Sequence, residues 1–399
     1  GGQQLRPPHG GRPPPPGAGR RGDLPDGQAG YRPSICELRR HHGIREKDIQ
    51  GQRGLSETEN RPLQTFPVWN VEHVLSGQYG KDLNTWFSDQ FVFRDQNIHI
   101  KYLIQKFTDV KEIQGVYLTK RGLIEKTAEV NKEQLDRNLN AINTLKQNYP
   151  DLNVGFMLAP NAVSIERDSL PKSADALDQN KQMDDIYNLI DDSIKKIDVR
   201  STLEKHKDEY LYYKSDHHWT SLASYYSYQT LASSFKLDKT KKSDYTIYPV
   251  SNSFEGTLAN KTGSLKIKDE IDIYVPKTET DYVVTDESTN KKSRTIYHSE
   301  ALETKDNYAV FMGGNKSLFH INIDNDSKKH LLLIKDSYAN SLIPFLIPEY
   351  ESITVVDPRY YFDDYTRLIQ NDLITDVLFM YNSNTFVQDT SLADMLQAQ

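Results

Sequence analysis

Apolar residues fall into two patterns along the 399-residue chain. Short runs with little alternation occur at Asn153-Val154-Gly155-Phe156-Met157-Leu158, Leu331-Leu332-Leu333-Ile334, Ile353-Thr354-Val355-Val356 and Val377-Leu378-Phe379-Met380. Such runs predict strands covered on both faces, as in the middle of a parallel sheet. Elsewhere apolar residues recur at helical spacing. Val130, Leu135, Leu139, Ile142 and Leu145 predict a helix over 130–148, and Met183, Ile186, Leu189, Ile190 and Ile194 another over 182–197. Helices are also predicted from Ser221 to Phe235 and over 339–347 and 362–371. Alternating strands and crossover helices make the fold class α/β, with a central parallel sheet between helical layers. Gly115-Val116-Tyr117-Leu118 reads as a further strand at the start of this plan. Upstream, Leu83, Trp86, Phe87 and Phe91 mark a helical stretch, and residues 97–108 are amphipathic. Residues 240–325 depart from the plan. Alternation such as Asp272-Ile273-Tyr274-Val275 and Asp281-Tyr282-Val283-Val284 predicts a β-rich insertion serving as a lid or substrate platform.

Composition separates the first 53 residues from the rest. Sixteen of the first 30 residues are Gly or Pro, and nine of the ten basic residues before position 54 are Arg, whereas Lys outnumbers Arg 30 to 9 afterwards. A Pro/Gly/Arg-rich tract cannot bury enough apolar surface to offset its ordering entropy, so residues 1–53 are expected to be a disordered leader. The switch in basic residue type suggests a foreign, fused or misread segment, the alternative being a natural disordered linker. The expected organisation is then a helical segment over 54–112 packing on a main α/β domain over 113–399. The formal net charge of −7, without a basic stripe, argues against nucleic acid as a partner. Cys36 is the only cysteine, so no internal disulfide or cysteine-based metal cage can form. No run of about 18 apolar residues and no signal-peptide pattern is present, and the chain begins with Gly1 rather than Met.

Two short segments carry candidate chemistry. In Lys335-Asp336-Ser337-Tyr338-Ala339-Asn340, a buried strand leads to a serine at a turn before a helix, at the end of the sheet where open α/β folds bind ligands. The helix start offers backbone N–H groups to an oxyanion. Taken alone, the segment reads more readily as a helix cap by Asp336 or Ser337. A serine nucleophile needs a base, and Lys214-Ser215-Asp216-His217-His218-Trp219-Thr220 supplies one. In extended backbone Asp216 and His218 face one side while His217 points away. The carboxylate would then orient the imidazole, leaving its other nitrogen for Ser337. The same residues admit a metal site or a structural pair of histidines at a strand end. No second ligand cluster accompanies them, and Asp191-Asp192 reads as a solvated helix face, so no metal and no cofactor are expected. Trp219 is assigned to the core.

Asp216-His217-His218-Trp219-Thr220 resembles the motif of the bacterial DHHW proteins. These are similar to the periplasmic alginate O-acetyltransferases, with a circularly permuted SGNH-hydrolase-like fold. The resemblance also takes in Glu59-Asn60-Arg61, Asp89-Gln90-Phe91-Val92-Phe93-Arg94, Phe311-Met312-Gly313-Gly314-Asn315, the Lys335–Asn340 segment and Asp357-Pro358-Arg359-Tyr360-Tyr361, spanning roughly 55–385. It implies a three-layer sheet and a catalytic triad of Asp216, His218 and Ser337. It further implies O-acetylation of an exopolysaccharide or cell-wall glycan through an acetyl-Ser337 intermediate, with a membrane-bound O-acyltransferase as acetyl-donating partner. The location it implies is extracytoplasmic, in the cell envelope. An acetylesterase, or a glycan-binding protein with an idle triad, are the alternatives. Gly314, Asn315, Tyr338 and Asn340 are candidates for oxyanion or substrate hydrogen bonds, and Arg359 for a polar or anionic sugar. Gly313-Gly314-Asn315 also reads as a plain turn, and Arg359 as a structural ion-pair partner.

Overall fold

The structure is a computed structural model. It describes residues 110–397 except 265, together with 55–56, 61–62, 65–67, 73, 76, 78–89 and 102. The leader at 1–53, the Glu59-Asn60 pair, residues 90–94 and most of the 97–108 pattern lie outside the described residues. Part of the upstream helical stretch is described as the helix Gln78–Asp89.

A mixed sheet of eight strands organises the rest. In chain order these are β1 (Asn153–Ala159), β2 (Lys195–Asp198), β3 (Tyr282–Asp286), β4 (Lys291–Ser293), β5 (Leu318–Ile323), β6 (His330–Lys335), β7 (Ser352–Val356) and β8 (Asp376–Asn382). Across the sheet the order is β4-β3-β5-β7-β6-β8-β1-β2. From β7 to β2 the pairings are parallel, with Ile334 opposite Val356 and Phe379, and Phe379 opposite Phe156. β5, β3 and β4 continue the sheet antiparallel.

β6 shows why an unbroken apolar run suits the centre. Leu331, Leu332, Leu333 and Ile334 have no exposed surface. Successive side chains point to opposite faces, so Leu331 and Leu333 join one core cluster while Leu332 and Ile334 join another. The first cluster takes in Tyr228, Leu231 and Phe235 of the helix Ser221–Phe235. The second takes in Leu139, Ile142 and Leu145 of the helix Lys132–Asn148. The two faces of β6 therefore share clusters with different helices, and each fully buried leucine contributes about 1.5–3 kcal/mol.

Several expectations are corrected. The helix expected over 182–197 runs over Gln179–Leu189 instead, and Lys195–Asp198 is the edge strand β2. Asp191 ends the helical region with a local turn, its Oδ1 accepting from Ser193 N at 2.8 Å. Charged residues such as Lys195 and Lys196 are typical of sheet edges and hide a strand from an apolar pattern. The strand near Gly115 exists as Val116–Leu118, but in a separate three-stranded sheet with Glu112–Ile113 and Leu123–Glu125. The β-rich insertion at 240–325 divides in two. Tyr245–Phe254 and Asp269–Pro276 form a separate antiparallel pair, whereas β3, β4 and β5 belong to the main sheet. Alternation in Leu318-Phe319-His320-Ile321 looks the same in either setting. The helix expected over 339–347 is a succession of short turns, 3-10 at Ser337–Ser341, α at Ile343–Leu346 and 3-10 at Ile347–Glu349, interrupted by Pro344 and Pro348. Among the described residues no helix is long and apolar enough to cross a membrane.

Candidate active site

β6 ends at Lys335, and Asp336 and Ser337 follow at the carboxyl edge of the sheet. Asp336 takes the capping role, its Oδ1 accepting from Tyr338 N at 2.9 Å. Its Oδ2 accepts from Asn382 N at 2.9 Å and Asn382 Nδ2 at 2.6 Å, at the end of β8. Asn382 Oδ1 accepts in turn from Asn161 Nδ2 at 3.2 Å, just beyond β1. Side chains thus tie together the ends of three adjacent parallel strands. With Asp336 as the cap, the half-buried Ser337 hydroxyl is left for another partner.

That partner comes from residues 211–220. The Tyr212–Trp219 bridge and the bond from Thr220 N to Leu211 O at 2.9 Å close a loop whose tip, 214–218, is bent. Asp216 and His218 do come together, but not through extended backbone. Asp216 Oδ1 accepts from His218 N at 2.9 Å and His218 Nδ1 at 2.6 Å, an Asx-type turn. His217 consequently does not point away; its ring centroid is 3.9 Å from that of His218. Buried Asp269 anchors the tip by accepting from Lys214 N at 2.8 Å, Ser215 N at 2.7 Å and Ser215 Oγ at 2.5 Å. The second Asp216 oxygen accepts from Thr257 N at 2.7 Å and Thr257 Oγ1 at 3.0 Å. Gly256 permits this approach, since a Cβ there would lie 2.2 Å from Asp216 Cβ.

His218 Nε2 lies 2.8 Å from Ser337 Oγ. The Asp216 carboxylate can only accept, so the imidazole hydrogen sits on Nδ1 and the serine hydroxyl donates to Nε2. Burial, followed by the neighbouring His217, lowers the His218 pKa to about 4 against the opposing pull of Asp216. Burial alone would raise the Asp216 carboxyl, but His217, His218 and the Thr257 amide together hold it well below its ordinary value. The imidazole is therefore a neutral, unprotonated base across the neutral pH range.

Two contacts escaped the sequence reading. The Tyr308 ring stacks on His218 with centroids 3.8 Å apart, and its hydroxyl donates to Ser337 O at 3.0 Å. Tyr308 lies in the short 3-10 turn Asn307–Val310 before β5, too short for a periodicity to single it out. Lys335 is the second. Its ammonium is buried, 3.6 Å from Asp357 Oδ2, and donates to Asn315 Oδ1 at 2.9 Å.

The supporting candidates divide. Asn315 Oδ1 also accepts from Asn340 Nδ2 at 3.2 Å, so Asn315 and Asn340 meet beside the serine turn. With Oδ1 occupied by two donors, the Asn315 Nδ2 hydrogens have no protein acceptor among the described residues. Gly313 and Gly314 have φ of +67° and +87°, following Met312 at +62°, which makes this turn a run of left-handed residues. Tyr338 is wholly buried and its hydroxyl donates to His217 O, so its side chain belongs to the scaffold. Arg359 forms a two-pronged pair with Asp357, at 2.8 Å and 2.6 Å. Trp219 has no exposed surface, as expected of a core residue, and its Nε1 donates to Tyr338 O at 2.9 Å. Asp192 is surface-exposed and paired with Lys196 at 2.8 Å. Asp216, His217 and His218 offer ligand atoms within 4.8 Å of one another, the arrangement behind a metal reading. A cation there would have to displace hydrogen bonds that already engage both carboxylate oxygens.

The model of the DHHW family, described as "DHHW protein", matches residues 135–356, more than half of the chain and inclusive of both segments. The chain belongs to the DHHW family. A solved DHHW family protein from Eubacterium siraeum is similar over 71% of this chain and 95% of its own, at 23% identity and a TM-score of 0.63. PatB1 of Bacillus cereus, solved with a sulfonyl adduct, is similar over 71% of this chain and 98% of its own, at 19% identity and a TM-score of 0.60. These likenesses show a shared mixed α/β fold. A comparison with curated proteins finds no match.

Proposed function

We propose that this DHHW protein is a serine-dependent acyl transferase, in which Ser337 is the nucleophile, His218 the general base and Asp216 the group that orients it. The reading rests on one observation, the hydrogen-bonded succession Asp216–His218–Ser337 at the carboxyl edge of the sheet. As Ser337 Oγ attacks an acetyl ester, its proton passes to His218 Nε2. The tetrahedral oxyanion is met by Asn315 Nδ2 and the Ser337 amide, which have no other acceptor among the described residues. The leaving alcohol takes the proton back from His218, giving acetyl-Ser337. A sugar hydroxyl then yields its proton to His218 while its oxygen attacks the acetyl carbon, and Ser337 leaves with that proton. The acceptor is an exopolysaccharide or cell-wall glycan outside the membrane, with a membrane-bound O-acyltransferase supplying the acetyl group. This reading carries with it a three-layer, SGNH-hydrolase-like arrangement permuted so that the Asp-x-His pair precedes the serine.

The sulfonyl adduct of PatB1 suggests the test. An aryl sulfonyl fluoride should form a sulfonyl ester on Ser337 with loss of fluoride, located by peptide mass spectrometry. It should leave Ser337→Ala unmodified. Chromogenic acetyl ester turnover should disappear in Ser337→Ala and His218→Ala, and acetylated oligosaccharide among the products separates transferase from esterase. Turnover surviving in both variants would overturn the proposal.

A further inference from the structure

His217 is the titratable residue of the family motif that the proposed reaction leaves without work. It lines a cavity of about 730 Å³, and its ring packs against that of His218. Two further lining residues connect this wall to the proposed triad and the serine turn. Thr257 bonds Asp216, and Asn382 bonds Asp336 next to Ser337. The size lies within the usual range for ligand pockets. The remaining wall is rich in amides and hydroxyls, including Asn384, Thr385 and Gln388. Its cations are matched locally, Lys126 with Glu112 at 3.2 Å and Lys261 with Glu125 at 3.9 Å. Among the described residues a polyanion would find no uncompensated positive charge there, whereas a polyhydroxylated chain finds donors and acceptors throughout.

The hydrogen-bond directions around Thr257 fix what His217 presents. The Thr257 hydroxyl has one hydrogen, and the Asp216 carboxylate can only accept it. At 2.7 Å from Thr257 Oγ1, His217 Nδ1 must therefore be the donor. The lone pair is then on Nε2, which has no protein partner among the described residues. An acceptor nitrogen on the cavity wall, on a ring packed against His218, is placed to receive a sugar O–H.

We infer that this cavity is the subsite for the acyl acceptor, a neutral glycan bearing hydroxyl and amide groups, with His217 Nε2 accepting from one hydroxyl so that a neighbouring one reaches His218. The inference rests on the acyl-transfer reading. The test gives the full chain an acetyl ester donor with either an N-acetylglucosamine tetramer or a tetramer of uronic acids, and measures acetylated sugar against free acetate. The neutral tetramer should be acetylated at least tenfold better than the uronate. His217→Leu and Gln388→Trp, which remove the acceptor nitrogen and fill the cavity, should each lower the transfer-to-hydrolysis ratio about tenfold. His217→Gln, whose Oε1 can accept, should recover part of it. A ratio unchanged in His217→Leu and Gln388→Trp, or a preference for the uronate, overturns this inference while leaving acyl transfer intact. Wild-type protein without acetyl turnover overturns acyl transfer itself. The subsite is then decided by calorimetric binding of the neutral tetramer to Ser337→Ala, which Gln388→Trp in that background should weaken tenfold and which, if unaffected, rejects the cavity.

Discussion

Strand β6 carries Ser337 to the sheet edge on four side chains without solvent exposure, Leu331 to Ile334. The loop that carries Asp216 and His218 is closed by the Tyr212–Trp219 bridge, but its bent tip hangs from hydrogen bonds to Asp269 and Thr257 and from the stack of His218 on Tyr308. The serine is placed by area, summed over many contacts none of which is individually decisive. The base is placed by a handful of directional contacts, each a point of failure, because a buried partner left unpaired costs about 1–3 kcal/mol. Damage to the strand should therefore appear as lost stability, and damage to the loop as lost rate.

The largest effect bears on the point where the two regions meet. Ser337→Ala and His218→Ala should each lower acetyl ester turnover by roughly 10^4-fold or more, while circular dichroism shows a retained fold. Unequal losses would mean that one of the two regions acts alone. Asn315→Ala removes a proposed oxyanion donor and should cost about 10^2–10^3 in kcat.

A paired comparison then separates area from direction. Leu333→Ala should lose about 2–5 kcal/mol in urea unfolding with kcat within a few-fold of wild type. Thr257→Val should reverse the order, with a small stability change and a tenfold or greater fall in kcat. Similar profiles for the two variants would erase the distinction.

pH provides a gentler probe. The proposed mechanism needs His218 unprotonated, so kcat/KM should rise with pH through about 4 and level off above it, below the ordinary histidine value of about 6.5. An inflection near 6.5 instead would mean that the loop is open to water in solution. In the interval between the two values the unfolded chain binds more protons than the folded one. The His218 contribution to stability is therefore complete above about 6.5 and declines as pH falls towards 4. The smallest change is expected from Tyr308→Phe, which keeps the stacked ring and loses the bond to Ser337 O. Its kcat should fall by less than tenfold.

The same contrast explains what could be read from the chain beforehand. β1, β6, β7 and β8 were legible because central strands need uninterrupted apolar runs, and the helix Ser221–Phe235 begins and ends where expected. β2 was missed because an edge strand such as Lys195-Lys196-Ile197-Asp198 satisfies itself with charges. β5 was assigned to an insertion because alternation says that one face is buried without saying against what. In the site, the meeting of Asp216, His218 and Ser337 could be anticipated from residue types. Its geometry could not, since the bend at 214–218 depends on Asp269, a partner more than fifty positions away in sequence. Tyr308 and Lys335 left no local signature either, as stacking and buried pairing are properties of tertiary neighbours.

The strand order also has a temporal side. β1 lies beside β8 in the finished sheet, yet the Asn153 and Asp376 side chains that meet across this pair are 223 residues apart. At synthesis rates of 5–20 residues per second, a nascent β1 waits about 10–45 s before its neighbour is made. Throughout that interval an apolar strand has one unpaired edge, a template for wrong partners. Such long-range closure is slow for topological reasons. Holdase chaperones that shield this edge should therefore raise the yield of folded protein more than slower synthesis does.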